Sequence, residues 1–245
     1  MLDIDLNCDM GEGGDDASLM PLITSANIAC GGHAGDVESM RCAVERAMVH
    51  GVNIGAHPGY DDRANFGRAA REVPSDQLRD SIAAQLRVLQ QIVHAAGGRL
   101  RHVKPHGALY NAAIGNAVVA GAIVDAVFDV DASLAIVTLP HGRLIDHAST
   151  CGIETIAEAF ADRTYQPGGT LTPRSDPSAL IVREIDAADQ VLWIVRDGCV
   201  RSVQGEWIPM RVQTVCIHGD GARALPLLRM LKQTLAAAGI GVRPF

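Results

Sequence analysis

The chain of 245 residues is 48% hydrophobic and 20% charged, with a formal net charge of -7. That length and core fraction suit one domain over residues 1–245, and the negative balance argues against nucleic acid or an anionic membrane as partner. The first residues are acidic, no segment approaches the roughly eighteen apolar residues of a membrane helix, and the six cysteines lack CxxC spacing. Together these features predict a reduced, cytoplasmic setting.

A first apolar run, 2–6, leads into Asp5-Leu6-Asn7-Cys8-Asp9-Met10-Gly11-Glu12. Period two puts Asp5, Asn7 and Asp9 on one face and Ile4, Leu6 and Cys8 on the other. Polar groups on a buried strand are costly unless paired or metal-bound. Asp9 is thus a catalytic candidate, and Asp5, Asn7 and Glu12 are candidates for binding substrate or phosphate. A solvated turn is the plain alternative.

The second run, 25–30, is followed by Gly31-Gly32-His33-Ala34-Gly35-Asp36. His33, among small residues, is a site candidate, whereas Asp36 reads as the cap of a helix over 36–50. The third run, 52–56, ends at His57, for which a satisfied core histidine is an equal alternative. A helix follows over 75–97, with Leu78, Ile82, Leu86, Leu89, Val93 and Ala96 on one face, Ser75 as N-cap and Gly97 as C-cap.

After the run 100–103, alternation places His102, Lys104 and His106 on one face. Lys104 is one of only two lysines. Buried, it must meet an anion, either Asp5 or Asp9 or a substrate carboxylate or phosphate. The flanking histidines suit acid, base or ligand roles. A helix over 116–129 precedes a run over 134–139, and a further run covers 154–159.

Beyond that run lies Asp162-Arg163-Thr164-Tyr165-Gln166-Pro167-Gly168-Gly169-Thr170, with Arg174 four residues on. The amides of Gly168 and Gly169, with Arg163 and Arg174, form a candidate anion cradle, although GK[ST] is absent and a plain turn is the alternative. A helix is predicted over 176–195, and a hairpin within 195–210 turning at Asp197-Gly198. A seventh run, 213–217, leads to His218 and Asp220. A last helix over 225–238 carries Leu225, Leu228, Leu231 and Leu235 and stops at Gly239.

Seven strands alternating with helices predict parallel pairing. Polar groups follow every run, which fits convergence on one mouth, and hence a TIM-barrel-like closed (β/α) barrel rather than an open sheet.

The blocks DLNCDMGEG, SANIACGGHAGD, GAHPGYDDRANFGR, HVKPHGALYN and EAFADRTYQPGGTLTPRS together resemble the LamB/YcsF family, the A subunits of 5-oxoprolinase. The resemblance spans the chain from residue 3 onward. It implies a seven-stranded barrel of the glycoside hydrolase/deacetylase type, ATP-dependent opening of 5-oxoproline to L-glutamate, and two partner subunits, B and C.

On that footing ATP, with Mg²⁺, would phosphorylate the amide oxygen before water attacks. Lys104, Arg163 and the Gly168-Gly169 backbone would hold anionic groups. Asp9 or Asp5 would activate the water, and His106 or His57 would protonate the leaving nitrogen. Asp9, His57 and His106 also offer a mixed ligand set for a protein-bound divalent ion. Two alternatives stand: a self-sufficient metal-dependent deacetylase or amidohydrolase, and a non-catalytic substrate-binding subunit.

Overall fold

The computed structural model describes residues 2–219, 221 and 223–245; Asp220 lies outside the described residues. In chain order the elements are β1 (Asp3–Met10), α1 (Asp16–Leu19), β2 (Ser25–Ala29), α2 (Val37–His50), β3 (Asn53–His57), α3 (Ser75–Ala95) and β4 (Leu100–Val103). There follow α4 (Gly107–Gly115), α5 (Ala117–Asp131), β5 (Ala135–Thr138), α6 (Arg143–Thr150), β6 (Thr155–Phe160) and α7 (Glu184–Leu192). The chain ends with β7 (Cys199–Arg201), β8 (Trp207–Pro209), β9 (Thr214–Ile217), α8 (Ala224–Ala237) and β10 (Gly241–Val242).

Strands β1, β2, β3, β4, β5, β6 and β9 pair in parallel in that order, and β9 returns to β1 through Asp5↔Thr214 and Asn7↔Cys216. The sheet is therefore a closed seven-stranded barrel, as the spread of polar groups along the sequence predicts. Along β1, Ile4, Leu6, Cys8 and Met10 join the main apolar cluster with helix residues such as Leu86, Leu89, Ile123 and Leu228. Each fully buried aliphatic side chain there contributes about 1.5–3 kcal/mol relative to exposure. The alternate residues face the lumen, and that alternation gives the barrel its chemistry.

Local signals explain some of the helix ends. Asp36 caps α2 by accepting from the Ser39 amide while Ser39 Oγ accepts from the Asp36 amide. Asn116 accepts from the Val118 and Val119 amides at the start of α5. Pro74, not Ser75, stands at the N-cap of α3, without a side-chain bond.

Two further expectations need correction. The helix predicted over 176–195 begins only at Glu184, because Asp176 folds back onto Ser178 and the segment bridges to Asp162–Thr164. The hairpin exists as β7 and β8, but Gly198, at φ 65°, ends the π-helical turn Trp193–Asp197, and the reversal lies at Ser202–Gly205. Helices α1, α4 and α6 have no counterpart among the predicted elements. In α4 the sequence GALYNAAIG is apolar on several faces, so it carries no clear 3.6-residue stripe.

At its N-terminal end the barrel is closed by the last residues of the chain. Strand β10 pairs with Asp3 and Ile4, and the Phe245 ring packs edge-on 5.2 Å from His102, beside Ala135, Val137 and Ile156. No single helix among the described residues is long and apolar enough to cross a membrane.

Candidate active site at the barrel mouth

The lower lumen is filled by polar side chains bonded to one another. Asp5 accepts from the hydroxyls of Thr24, Ser25 and Thr214. Burial nevertheless pushes its carboxyl up to about 6, with those hydroxyls working the other way. Asn7 donates to Glu158 and Thr214 and accepts from Asn27. Asn27 in turn accepts from His102 Nε2, and burial lowers the His102 imidazole to about 3, keeping it neutral. A Cβ at Gly55 would overlap this ring, so glycine is what lets His102 reach across the lumen.

Lys104 joins this layer to the one above it. Only 2% exposed, its ammonium lies 2.8 Å from Glu158, 3.1 Å from Asp9 and 2.9 Å from Cys216 Sγ. Burial disfavours its charge, but Asp9, Cys216 and Glu158 outweigh that and keep it protonated. Asp9 is likewise buried, yet the charges of His57 and Lys104 hold it well below the usual carboxylate range. Its Oδ1 accepts from Asn27 as well as Lys104, while Oδ2 lies 3.4 Å from His57 Nε2.

Three histidines gather beside Asp9. The His33 and His106 rings stack with centroids 3.6 Å apart, and His57 meets both edge-on. Glu12 reaches His33 at 2.8 Å, His106 at 3.3 Å and His57 at 3.7 Å. Desolvation lowers His33 to about 4 and lowers His106 as well. For His57, burial opposes protonation, but Asp9 and Glu12 raise it overall. The loop 58–68 closes over these rings. Gly67 (φ 63°) makes that approach possible, since a Cβ there would lie 2.7 Å from His33 Cβ. Ligand atoms of Glu12, His33, His57 and His106 all lie within 4.8 Å of one another, so the carboxylate grouped most closely with the histidines is Glu12 rather than the expected Asp9.

Above these groups opens a cavity of about 600 Å³. Asp9, His57, Lys104 and His106 form its floor, α4 supplies one wall through Tyr110, Asn111 and Ile114, and the segment 170–174 supplies another. Of the residues singled out from sequence, Asp9, His57, Lys104, His106, Arg163 and Arg174 line this space. Glu12 and His33 stand behind His57 and His106. Asp5 and Asn7 lie below, occupied by lumen partners.

Gly168 and Gly169 do not line the cavity. The Gly169 amide donates to Gln166 in a tight turn, and the His141 ring covers that glycine. The buried Arg163 donates to the carbonyls of Ala179 and Thr172, so it braces the wall from within. Burial, and then Arg174, lowers it to about 10.

Sequence reasoning gave no role to His218, Asp162, Asn27, Glu158, Cys216 or Arg68. His218 lines the cavity, lies against the Phe160 ring, and has Nδ1 2.9 Å from Asp162 Oδ2. The His218 and Arg163 charges outweigh burial and lower the Asp162 carboxyl. Each of these two residues follows an apolar run, which is a visible signal, but 56 positions separate them. Glu158 was visible as an acid inside an otherwise apolar strand.

This arrangement offers an ionised carboxylate beside a buried ammonium, a His–Asp pair in the same cavity, and cationic side chains at the rim. It can bind a small anion and move protons at a carbonyl or amide group.

Comparison with known proteins agrees with the fold. The model of the LamB/YcsF family matches residues 4–245. A lactam utilization protein from Thermus thermophilus is 37% identical, with a TM-score of 0.94 and 100% of each chain covered. A family 4 carbohydrate esterase from Streptomyces lividans, solved with acetate, is similar in fold alone, at 15% identity and a TM-score of 0.51, over 98% of this chain and 91% of that one.

Proposed function

Because the chain belongs to the LamB/YcsF family, we propose that it opens a small lactam, 5-oxoproline, to L-glutamate as one component of an ATP-dependent cytoplasmic 5-oxoprolinase, working with partner subunits B and C. The observation that carries this reading is the ionised Asp9, held between Lys104 and His57 on the floor of a cavity rimmed by Arg68 and Arg174. The lactam utilization protein matched over its full length supports the substrate class.

The chemistry explains the need for ATP. A lactam amide is resonance-stabilised, and a five-membered ring releases little strain on opening. Transfer of a phosphoryl group from Mg²⁺-bound ATP to the amide oxygen gives an activated imidate and ADP. Water then adds to the ring carbon, the carbon–nitrogen bond breaks as the nitrogen takes up a proton, and a second water cleaves the resulting acyl phosphate to carboxylate and phosphate. Two waters are consumed for each glutamate and phosphate formed.

Asp9 accepts the proton from the attacking water. The Arg68 and Arg174 rim holds the substrate carboxylate and phosphate, and Lys104 fixes the orientation of Asp9. His218, with Asp162 setting its ring, delivers the proton to the nitrogen. His106 is less suited to that step, since Nε2 donates to the Phe66 carbonyl and Nδ1 faces His57 and Glu12.

The test is glutamate release from 5-oxoproline with ATP, using this chain alone, subunits B and C alone, and all together. Release only in the full mixture, abolished by Asp9→Asn in this chain, supports the proposal. Wild-type turnover with Asp9→Asn assigns the chemistry to the partners. ATP-independent activity of the chain alone on acetylated or amide substrates points to a deacetylase-like enzyme instead.

A further inference from the structure

Two hydrogen bonds at the back of the histidine cluster fix its protonation pattern. His57 Nδ1 lies 2.6 Å from the Lys104 carbonyl, and His106 Nε2 lies 2.9 Å from the Phe66 carbonyl. A carbonyl oxygen only accepts, so both nitrogens carry hydrogen. In neutral rings the other nitrogens, His57 Nε2 and His106 Nδ1, then present lone pairs to one another at 3.0 Å. The Glu12 carboxylate faces the same point. Three electron-rich atoms converging in a buried pocket need a positive centre among them, either a proton on His57 Nε2 or a metal ion.

Their spacing indicates its kind. Glu12 Oε1, His57 Nε2 and His106 Nδ1 form a triangle with edges of 3.0, 3.3 and 3.7 Å. Ligand atoms about 2.0–2.1 Å from a tetrahedral ion are separated by roughly 3.3 Å, and zinc bound by histidine and carboxylate has those bond lengths. Metal-binding histidines characteristically donate their far N–H to a carbonyl or carboxylate, as both do here.

The surroundings have the character of a supporting shell. His33 bonds to Glu12 at 2.8 Å and stacks on His106, fixing both ligands. Phe66 is the one non-glycine residue with a left-handed backbone among those described, at φ 53°. That conformation costs roughly 1–2 kcal/mol, and the Phe66 carbonyl is the group that orients His106.

We propose that Glu12, His57 and His106 bind one divalent transition ion, preferring Zn²⁺ to Mg²⁺, with His33 as the positioning residue behind Glu12. The donor set of two imidazoles and a carboxylate favours zinc-like ions over the hard ions that take oxygen ligands. Asp9 Oδ2, 3.4 Å from His57 Nε2, is the neighbouring base and not one of the three ligands. The proposal does not depend on 5-oxoproline being the substrate.

The experiment is metal analysis and calorimetry on the purified full chain, stripped with chelator and titrated separately with Zn²⁺ and Mg²⁺. One equivalent of Zn²⁺ should bind tightly, Mg²⁺ should bind far more weakly, and Zn²⁺ should raise Tm. Glu12→Gln and His106→Gln should each weaken Zn²⁺ by more than about 100-fold, and His33→Gln by about 10–100-fold, the usual range for supporting groups. The exposed His50→Gln should bind as wild type. Circular dichroism of each variant guards against loss of fold, and the wild-type titration stands without any variant. Absence of a stoichiometric site in folded wild type would overturn the proposal, leaving a shared proton between His57 and His106. Unchanged Zn²⁺ affinity in both ligand variants would overturn it equally.

Discussion

The lower and upper halves of the lumen are lined by the same strands, yet their polar groups are arranged to different ends. Below, Asp5, Asn7, Asn27, His102 and Thr214 bond mainly to one another, and Phe245 seals the end. Above, Asp9, His57, Lys104, His106 and His218 border a cavity of about 600 Å³. A closed polar network fixes a single packing of side chains. A network with one open side keeps capacity for a ligand. Polarity inside a barrel therefore does not by itself mark a site; the free side of the network does.

The largest effect should come from breaking the link between the halves. Lys104→Met leaves Asp9 and Glu158 buried without their cation, and loss of one member of a buried ion pair typically costs about 3–5 kcal/mol. Chemical denaturation should register that loss, and turnover should vanish with it. A stability change below about 1 kcal/mol would show that the ammonium is solvated and the two halves are independent.

Asp9→Asn tests the upper half alone. It keeps the size of the side chain and removes a base, so kcat should fall by about 100- to 10,000-fold, while Lys104 retains Glu158 as its counter-ion and the loss of stability should be smaller than for Lys104→Met. Gly55→Ala tests the lower half alone. The new methyl group meets the His102 ring, and overpacking of this kind costs about 1–3 kcal/mol. Activity per folded molecule should stay at the wild-type level, and a kcat defect would mean that the floor reaches the chemistry.

The smallest expected effect is read in pH. Asp5 has a folded-state pKa raised to about 6, so its contribution to stability is full below the unfolded value and is lost as pH rises through 6. Asp5→Asn should therefore gain Tm relative to wild type between pH 4 and 7. A constant difference across that range would show that Asp5 does not titrate there. His33 and His102, lowered to about 4 and 3, act in the opposite sense. They stabilise above pH 6.5, and that contribution declines as acid protonates the unfolded chain.

All seven barrel strands were legible as short apolar runs, because one face of each packs under the helices. Strand β1 extends to Met10, past the end of its apolar run at Leu6, since Asn7 and Asp9 find partners across the lumen that no local pattern reveals. The same limit explains the site. His57, Lys104 and His106 were visible from their positions after strands. The roles of Glu158 and Asn27, within strands, depend on which lumen layer they occupy. The Gly168-Gly169 pair looked like an anion cradle because glycine permits both a cradle and a tight turn, and here the Gly169 amide serves the turn.

The burial of Lys104 has a practical corollary for chemical labelling. Lys104 and Lys232 are the only two lysines in the chain, and the first is sealed between two carboxylates. An amine-reactive reagent meets just one lysine side chain in the folded protein. A second modification, at Lys104, would then time the opening of the barrel, so the protein carries its own mass-spectrometric clock for unfolding.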